Sequence, residues 1–132
     1  MPTIVPLYAA ILALMFAVLS IRTARLRKGL RIAIGDPGNR VLQRASRVHA
    51  NFAEYVPLSL ILLYFVEQAG TTARVMHLMC LLLVAARSLH AWGVSHVREN
   101  IRFRVAAIGL QLGVLTSAAL ILLYHSLRSQ IA

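Results

Sequence analysis

Arg44, Arg47, Asn51 and Glu54 bring two cations, a carboxamide and a carboxylate together within eleven positions of a 132-residue chain. With Arg47 as zero and about 100° per residue, Asn51 falls at about +40°, Glu54 at about −20° and Arg44 at about +60°, an arc of roughly 80° on one helix face. Glu54 lies in an apolar stretch. A carboxylate at bilayer depth is costly unless it is paired, so it marks a functional site by default. Arg47 and Glu54 stand two turns apart, about 10 Å, too far for easy contact, while Asn51 between them offers both donor and acceptor groups. The stripe suits a zwitterionic or peptide-like polar ligand. It equally suits a self-contained network in which Arg87 neutralises Glu54 and Asn51 bridges helices.

A second stripe follows at Arg87, His90, Val94 and Arg98, whose spacings of 3, 4 and 4 put them on one side of a helix. Arg87 is its deep cation, and His90 reads either as a proton carrier or as a hydrogen-bonded packing residue. Tyr55, at about +80°, flanks the first stripe with a hydroxyl that can donate. His49, at about 200° from Arg47, faces elsewhere and is placed toward a neighbouring subunit. His77, His96 and His125 have no metal-ligand spacing with one another or with acids, and no metal is expected. Cys80 stands alone, which excludes an intrachain disulfide and a cysteine-based zinc cluster. The chain carries no glycine-rich phosphate loop, no GxSxG and no carboxylate pair for hydrolysis.

These stripes must be held by helices in a membrane. With 59% hydrophobic and 14% charged residues and a mean hydropathy of +0.73, the chain has too few polar side chains to cover a water-facing globule. Four apolar runs, at about residues 3–21, 48–66, 75–97 and 105–124, are each near the length that crosses about 30 Å of hydrocarbon. They predict an all-α integral membrane four-helix bundle formed by the whole of residues 1–132. The first run is followed, not preceded, by basic residues, so it reads as a retained helix and not a cleaved leader. Between Arg22 and Arg47 the turn-forming string Gly35–Asn39 predicts a loop with a bend.

The formal net charge of +10 is distributed in a way that favours lipid over nucleic acid. The loops before the second and fourth runs carry eleven basic residues, against Arg74 and Arg128 elsewhere outside the runs. By the positive-inside rule both basic loops are cytoplasmic and both termini lie outside. Nucleic-acid binding accounts poorly for the apolar runs and is not expected.

The string RVHANFAEYVPL, Arg47 to Leu58, resembles the signature of the MAPEG family, the membrane-associated proteins in eicosanoid and glutathione metabolism. The pattern R-x-x-x-N-x-x-E-Y-x-P is matched by Arg47, Asn51, Glu54, Tyr55 and Pro57, on the expected second span and after a basic first loop. The resemblance is to a bacterial-type member and covers nearly the whole chain in organisation. It implies a homotrimer in the bacterial inner membrane, with periplasmic termini and glutathione bound between protomers near the cytoplasmic side. It also implies glutathione contacts from Arg47, Asn51, Glu54, Tyr55 and Arg87, with His49 standing where the family has glutamine. His90 and Val94 stand where better-known members have tyrosines. Ile101 occupies the place of the family's catalytic arginine, so Arg102 and Arg104 are the candidates for activating the thiol.

The activity implied is that of a glutathione transferase or peroxidase, in which a thiolate attacks a small lipophilic electrophile dissolved in the bilayer. Two other functions are set against it. A non-catalytic membrane scaffold of the same fold fits the absent tyrosines. A small four-span multidrug transporter using Glu54 fits less well, because such proteins carry their carboxylate in the first span and show weaker charge bias.

Overall fold

The computed structural model describes residues 3–95 and 101–131. They form four helices, α1 (Ile4–Leu30), α2 (Arg40–Gln68), α3 (Ala73–Ser95) and α4 (Ile101–Ile131), and no strand. All four are long and apolar enough to cross a membrane, which gives the all-α membrane bundle the hydropathy pattern predicts. The predicted end of the third run at Val97, together with His96 and Arg98, lies outside the described residues.

The predicted loop from Arg22 to Arg47 is mostly helix. α1 continues to Leu30 and α2 begins at Arg40, so the connection is only residues 31–39. Absence of charge marks where a helix leaves hydrocarbon, not where it ends, and arginine is a good helix former in water. Arg27 and Lys28 in the last turn of α1 also oppose the negative end of its dipole. Arg31 then takes a left-handed conformation, φ 55°, and the next amide, that of Ile32, returns to the Arg27 carbonyl at 3.0 Å. At the other end of the turn, the Asn39 side chain accepts from the amides of Val41 at 3.1 Å and Leu42 at 3.0 Å, which starts α2. Arg27 crosses this turn to donate to the Gly35 carbonyl at 2.8 Å.

Among the described residues α1 packs on α2 and α3, and α4 packs on the opposite side of the same pair, so that α1 and α4 do not touch. Leu12, Val48, Leu63, Val66, Met76 and Leu83 are fully buried in the shared core. α3 is the most enclosed of the four helices and carries Arg87 and His90 inward. α3 and α4 approach closely at Gly93, where an added Cβ would stand 3.2 Å from Phe103 Cβ.

At the end of the bundle that holds the start of α1, the Glu67 carboxylate accepts from the amides of Thr3 at 2.8 Å, Ile4 at 2.8 Å and Val5 at 2.9 Å. A side chain near the end of α2 therefore satisfies the first turn of α1, where N–H groups have no partner within the helix. At the opposite end Arg44 of α2 donates to the Val94 carbonyl at 3.1 Å, and Arg22 of α1 donates to Ser95 Oγ. Two guanidiniums thus hold the last turn of α3, where the helix dipole is negative.

Candidate functional site

The side chains with chemical potential converge where the start of α2, the end of α3 and the start of α4 meet. A cavity of about 190 Å³ is bounded by Arg44, Arg47 and Asn51 from α2, by His90 and Val94 from α3, and by Arg104 from α4, with Gln43 and Ile108 completing it. Helical spacing brings the first three to one wall, since residues three, four and seven apart share a face. His90 is buried and Asn51 half-buried, while Arg47 and Arg104 reach the cavity from exposed positions. No acid is present among the described residues lining it. Three guanidiniums on the wall raise the local positive potential, which draws anions.

Behind Asn51 stands Arg87, with only 1% of its surface exposed. Its Nη1 donates to Asn51 Oδ1 at 2.9 Å, and its guanidinium carbon lies 5.9 Å from the centre of the Tyr55 ring. That distance is at the outer limit of a cation–π contact. Arg87 Nε has no hydrogen-bond partner among the described residues.

Seven residues of this corner separate into three groups. Arg47, Asn51, His90 and Arg104 line the cavity; Arg87 and Tyr55 lie behind the wall; Glu54 is exposed and outside it. Glu54 and Arg87 are not ion-paired among the described residues, so the self-contained network expected as an alternative reduces to the Arg87–Asn51 bond. Arg102 is exposed and does not line the cavity, which distinguishes it from Arg104.

His49 does face away from the stripe, but its contacts are with α1 of the same chain. Its Nε2 is 3.0 Å from Ser20 Oγ, and its ring stacks on Phe16 with centroids 4.8 Å apart. His77, assigned no role from sequence, is 2.9 Å from the Tyr8 hydroxyl through Nδ1. Among the described residues no group of three His, Cys, Asp or Glu side chains is placed to hold a metal ion.

A polar pair deeper in the bundle escaped the sequence reading. Gln111 of α4 donates from Nε2 to Ser59 Oγ at 2.7 Å, and Ser59 donates to the Tyr55 carbonyl at 2.9 Å. Both side chains are buried. The available signal was position: Ser59 falls at about +120°, continuing the drift of Asn51 and Tyr55 around α2 in steps of about 40° per four residues.

On the far side of α2 lies an apolar groove of about 260 Å³ shared with α1, lined by Leu12, Phe16, Phe52, Val56 and Leu60 among others. It contains no charged side chain.

A sequence model described as the MAPEG family matches residues 5–124. The protein named inner membrane protein YecN from Escherichia coli K12 is 38% identical over 90 residues, covering 68% of this chain and 69% of the relative. The protein of the same name from Escherichia coli O6:H1 is similar to the same extent, 38% over 90 residues.

Proposed function

The chain belongs to the MAPEG family and is a multi-pass membrane protein, and on that premise we propose that it binds glutathione in the inner membrane and uses it as a transferase or peroxidase toward lipophilic electrophiles. The observation that carries this reading is the cavity itself: Arg44, Arg47, Arg104 and Asn51 line one space, with no acid among the described residues that bound it. Glutathione carries two carboxylates, and charge-assisted bonds from guanidinium to carboxylate are among the strongest polar contacts available. Glu54, just outside, is placed for the ligand's ammonium or a peptide N–H.

In the proposed chemistry the thiol loses its proton to solvent and the sulfur remains as thiolate, favoured by an adjacent guanidinium. Arg104 is the candidate for that role, because Arg102 does not reach the cavity. In transfer, the thiolate forms a sulfur–carbon bond as the electrophile's leaving group departs with the electron pair. In peroxide reduction, two glutathione molecules become the disulfide while a hydroperoxide becomes an alcohol and water. The groove and the surrounding lipid supply the apolar partner's environment.

The assembly proposed is a homotrimer with both termini periplasmic, the latter supported by the eleven basic residues gathered between Arg22 and Arg47 and between Arg98 and Arg104, at one end of the spans. Binding without turnover is the second reading. Its supporting observation is that no hydroxyl-bearing side chain appears among the described residues of the cavity wall.

Titration of the purified protein with glutathione, followed by a conjugation assay with a chlorodinitrobenzene, tests both. Saturable binding with turnover supports the enzyme, and saturable binding without turnover supports the second reading. No binding in intact, folded assemblies overturns both.

A further inference from the structure

The geometry points to Arg87 as a positioning residue that makes Asn51 an obligate donor, so that the cavity selects a carboxylate over the corresponding amide or ester. This rests on the reading of the cavity as a ligand site and specifies which chemical group it takes.

The argument begins with what each group is able to do. A guanidinium has five N–H donors and no acceptor, whereas a carboxamide has one of each kind of end. The Asn51 atom 2.9 Å from Arg87 Nη1 is therefore the carbonyl oxygen, whichever way an amide is first drawn. With its oxygen turned back to Arg87, Asn51 presents the NH₂ end forward to the cavity it lines. Arg87 is the residue able to enforce this, because it is 1% exposed and does not line the cavity. Reversing Asn51 would set NH₂ against a buried guanidinium and leave a charged donor without its acceptor, which is costly away from water.

The rest of the wall has the same polarity. Arg44, Arg47 and Arg104 are donors only, and the nearby Val94 carbonyl already receives Arg44. Gln43 and His90 are the lining side chains with an acceptor to offer. A carboxylate answers such a wall with two acceptor oxygens and a charge. An amide of the same shape sets its own NH₂ against Asn51 or an arginine, and an ester gives up the charge. The selection of carboxylate is thus assigned to a residue that never touches the ligand.

The test is equilibrium binding to the purified full-length protein, using glutathione, its diethyl ester, glutarate and glutaramide as probes. The diester keeps the thiol and ammonium of glutathione and loses both carboxylates. Wild type is expected to prefer glutathione to the diester, and glutarate to glutaramide, by about 30-fold or more, as for a lost charge-assisted bond. Arg87→Met should lower both preferences by about tenfold, leaving the share that the wall arginines supply, while Arg87→Lys, which keeps a buried donor, retains most of each. If Arg87→Met does not fold, Asn51→Asp carries the test, since it keeps the pairing with Arg87 and turns an acceptor toward the cavity. It should lower both preferences at least as far as Arg87→Met does. Undiminished preference in any folded Arg87→Met or Asn51→Asp protein overturns the inference. Glutarate discrimination without glutathione binding overturns the glutathione reading and upholds this one. Glutathione binding with no preference for carboxylate does the reverse, and failure of wild type to bind either acid overturns both.

Discussion

The face of α2 that carries Arg44, Arg47 and Asn51 borders a cavity of about 190 Å³ rich in cations, whereas the face that carries Phe52, Val56 and Leu60 borders an apolar groove of about 260 Å³ closed by Leu12 and Phe16 of α1. The two sets lie roughly opposite each other, near +30° and +180° on the helix. One helix, about 10 Å thick, therefore separates the polar cavity from the oily groove. On the glutathione reading proposed above, a lipophilic reactant in the groove would not face the thiol directly and would approach it from the lipid-facing rim. The contrast also separates energies: the groove face is built from buried packing, and the cavity face includes the exposed Arg47 and Arg104 and the half-buried Asn51.

That separation predicts mutations with distinct readouts. Phe52→Ala removes a buried ring stacked on Phe16. It should cost about 3–5 kcal/mol of stability to unfolding in detergent, with glutathione affinity in the remaining folded protein unchanged. A large affinity loss at constant stability would break the division of labour. Arg104→Ala should lower conjugation turnover by roughly a hundredfold or more, as when a preorganised donor is taken from a developing anion. Arg102→Ala in parallel should stay near wild type, and equal effects from the two variants would remove the distinction drawn from the cavity. Arg47→Ala should weaken glutathione binding by about 2–3 kcal/mol while the unliganded protein, in which Arg47 is exposed, unfolds as before; isothermal titration and a thermal melt read the two effects separately. The smallest change belongs to the buried pair at greater depth. Ser59→Ala combined with Gln111→Leu should shift stability by no more than about 1 kcal/mol, because both hydrogen-bonding partners are replaced by apolar groups. Gln111→Leu alone leaves Ser59 without its donor and should be the more damaging variant by the same melt.

The four helices were legible because a run of about 20 apolar residues has few alternatives. Their ends were not: α1 passes through Arg22, Arg25 and Arg27 without a break, since charge stops membrane burial but does not stop hydrogen bonding along a helix. The stripe on α2 was legible from angle alone, and Arg47, Asn51, His90 and Arg104 do meet. An angle does not say which neighbour is present at a given depth. Glu54 shares the arc with Arg47 yet remains exposed, whereas Arg87, expected at Glu54, is bonded to Asn51 instead. Glu67 gave no periodic signal because its partners are backbone amides more than sixty positions away in the chain.

The bonds from Thr3, Ile4 and Val5 to Glu67 also have a consequence for the order in which the protein is made. The amides leave the ribosome before the carboxylate that receives them, which follows only after α1, the turn and nearly all of α2 have been synthesised. Until then the leading end of α1 has to remain in contact with water or lipid headgroups, because bare N–H groups do not settle in hydrocarbon. Arrival of Glu67 closes the first two helices into a hairpin pinned at the end away from its turn. The nascent chain thereby acquires a checkpoint: α1 is sealed in register only when α2 has crossed completely.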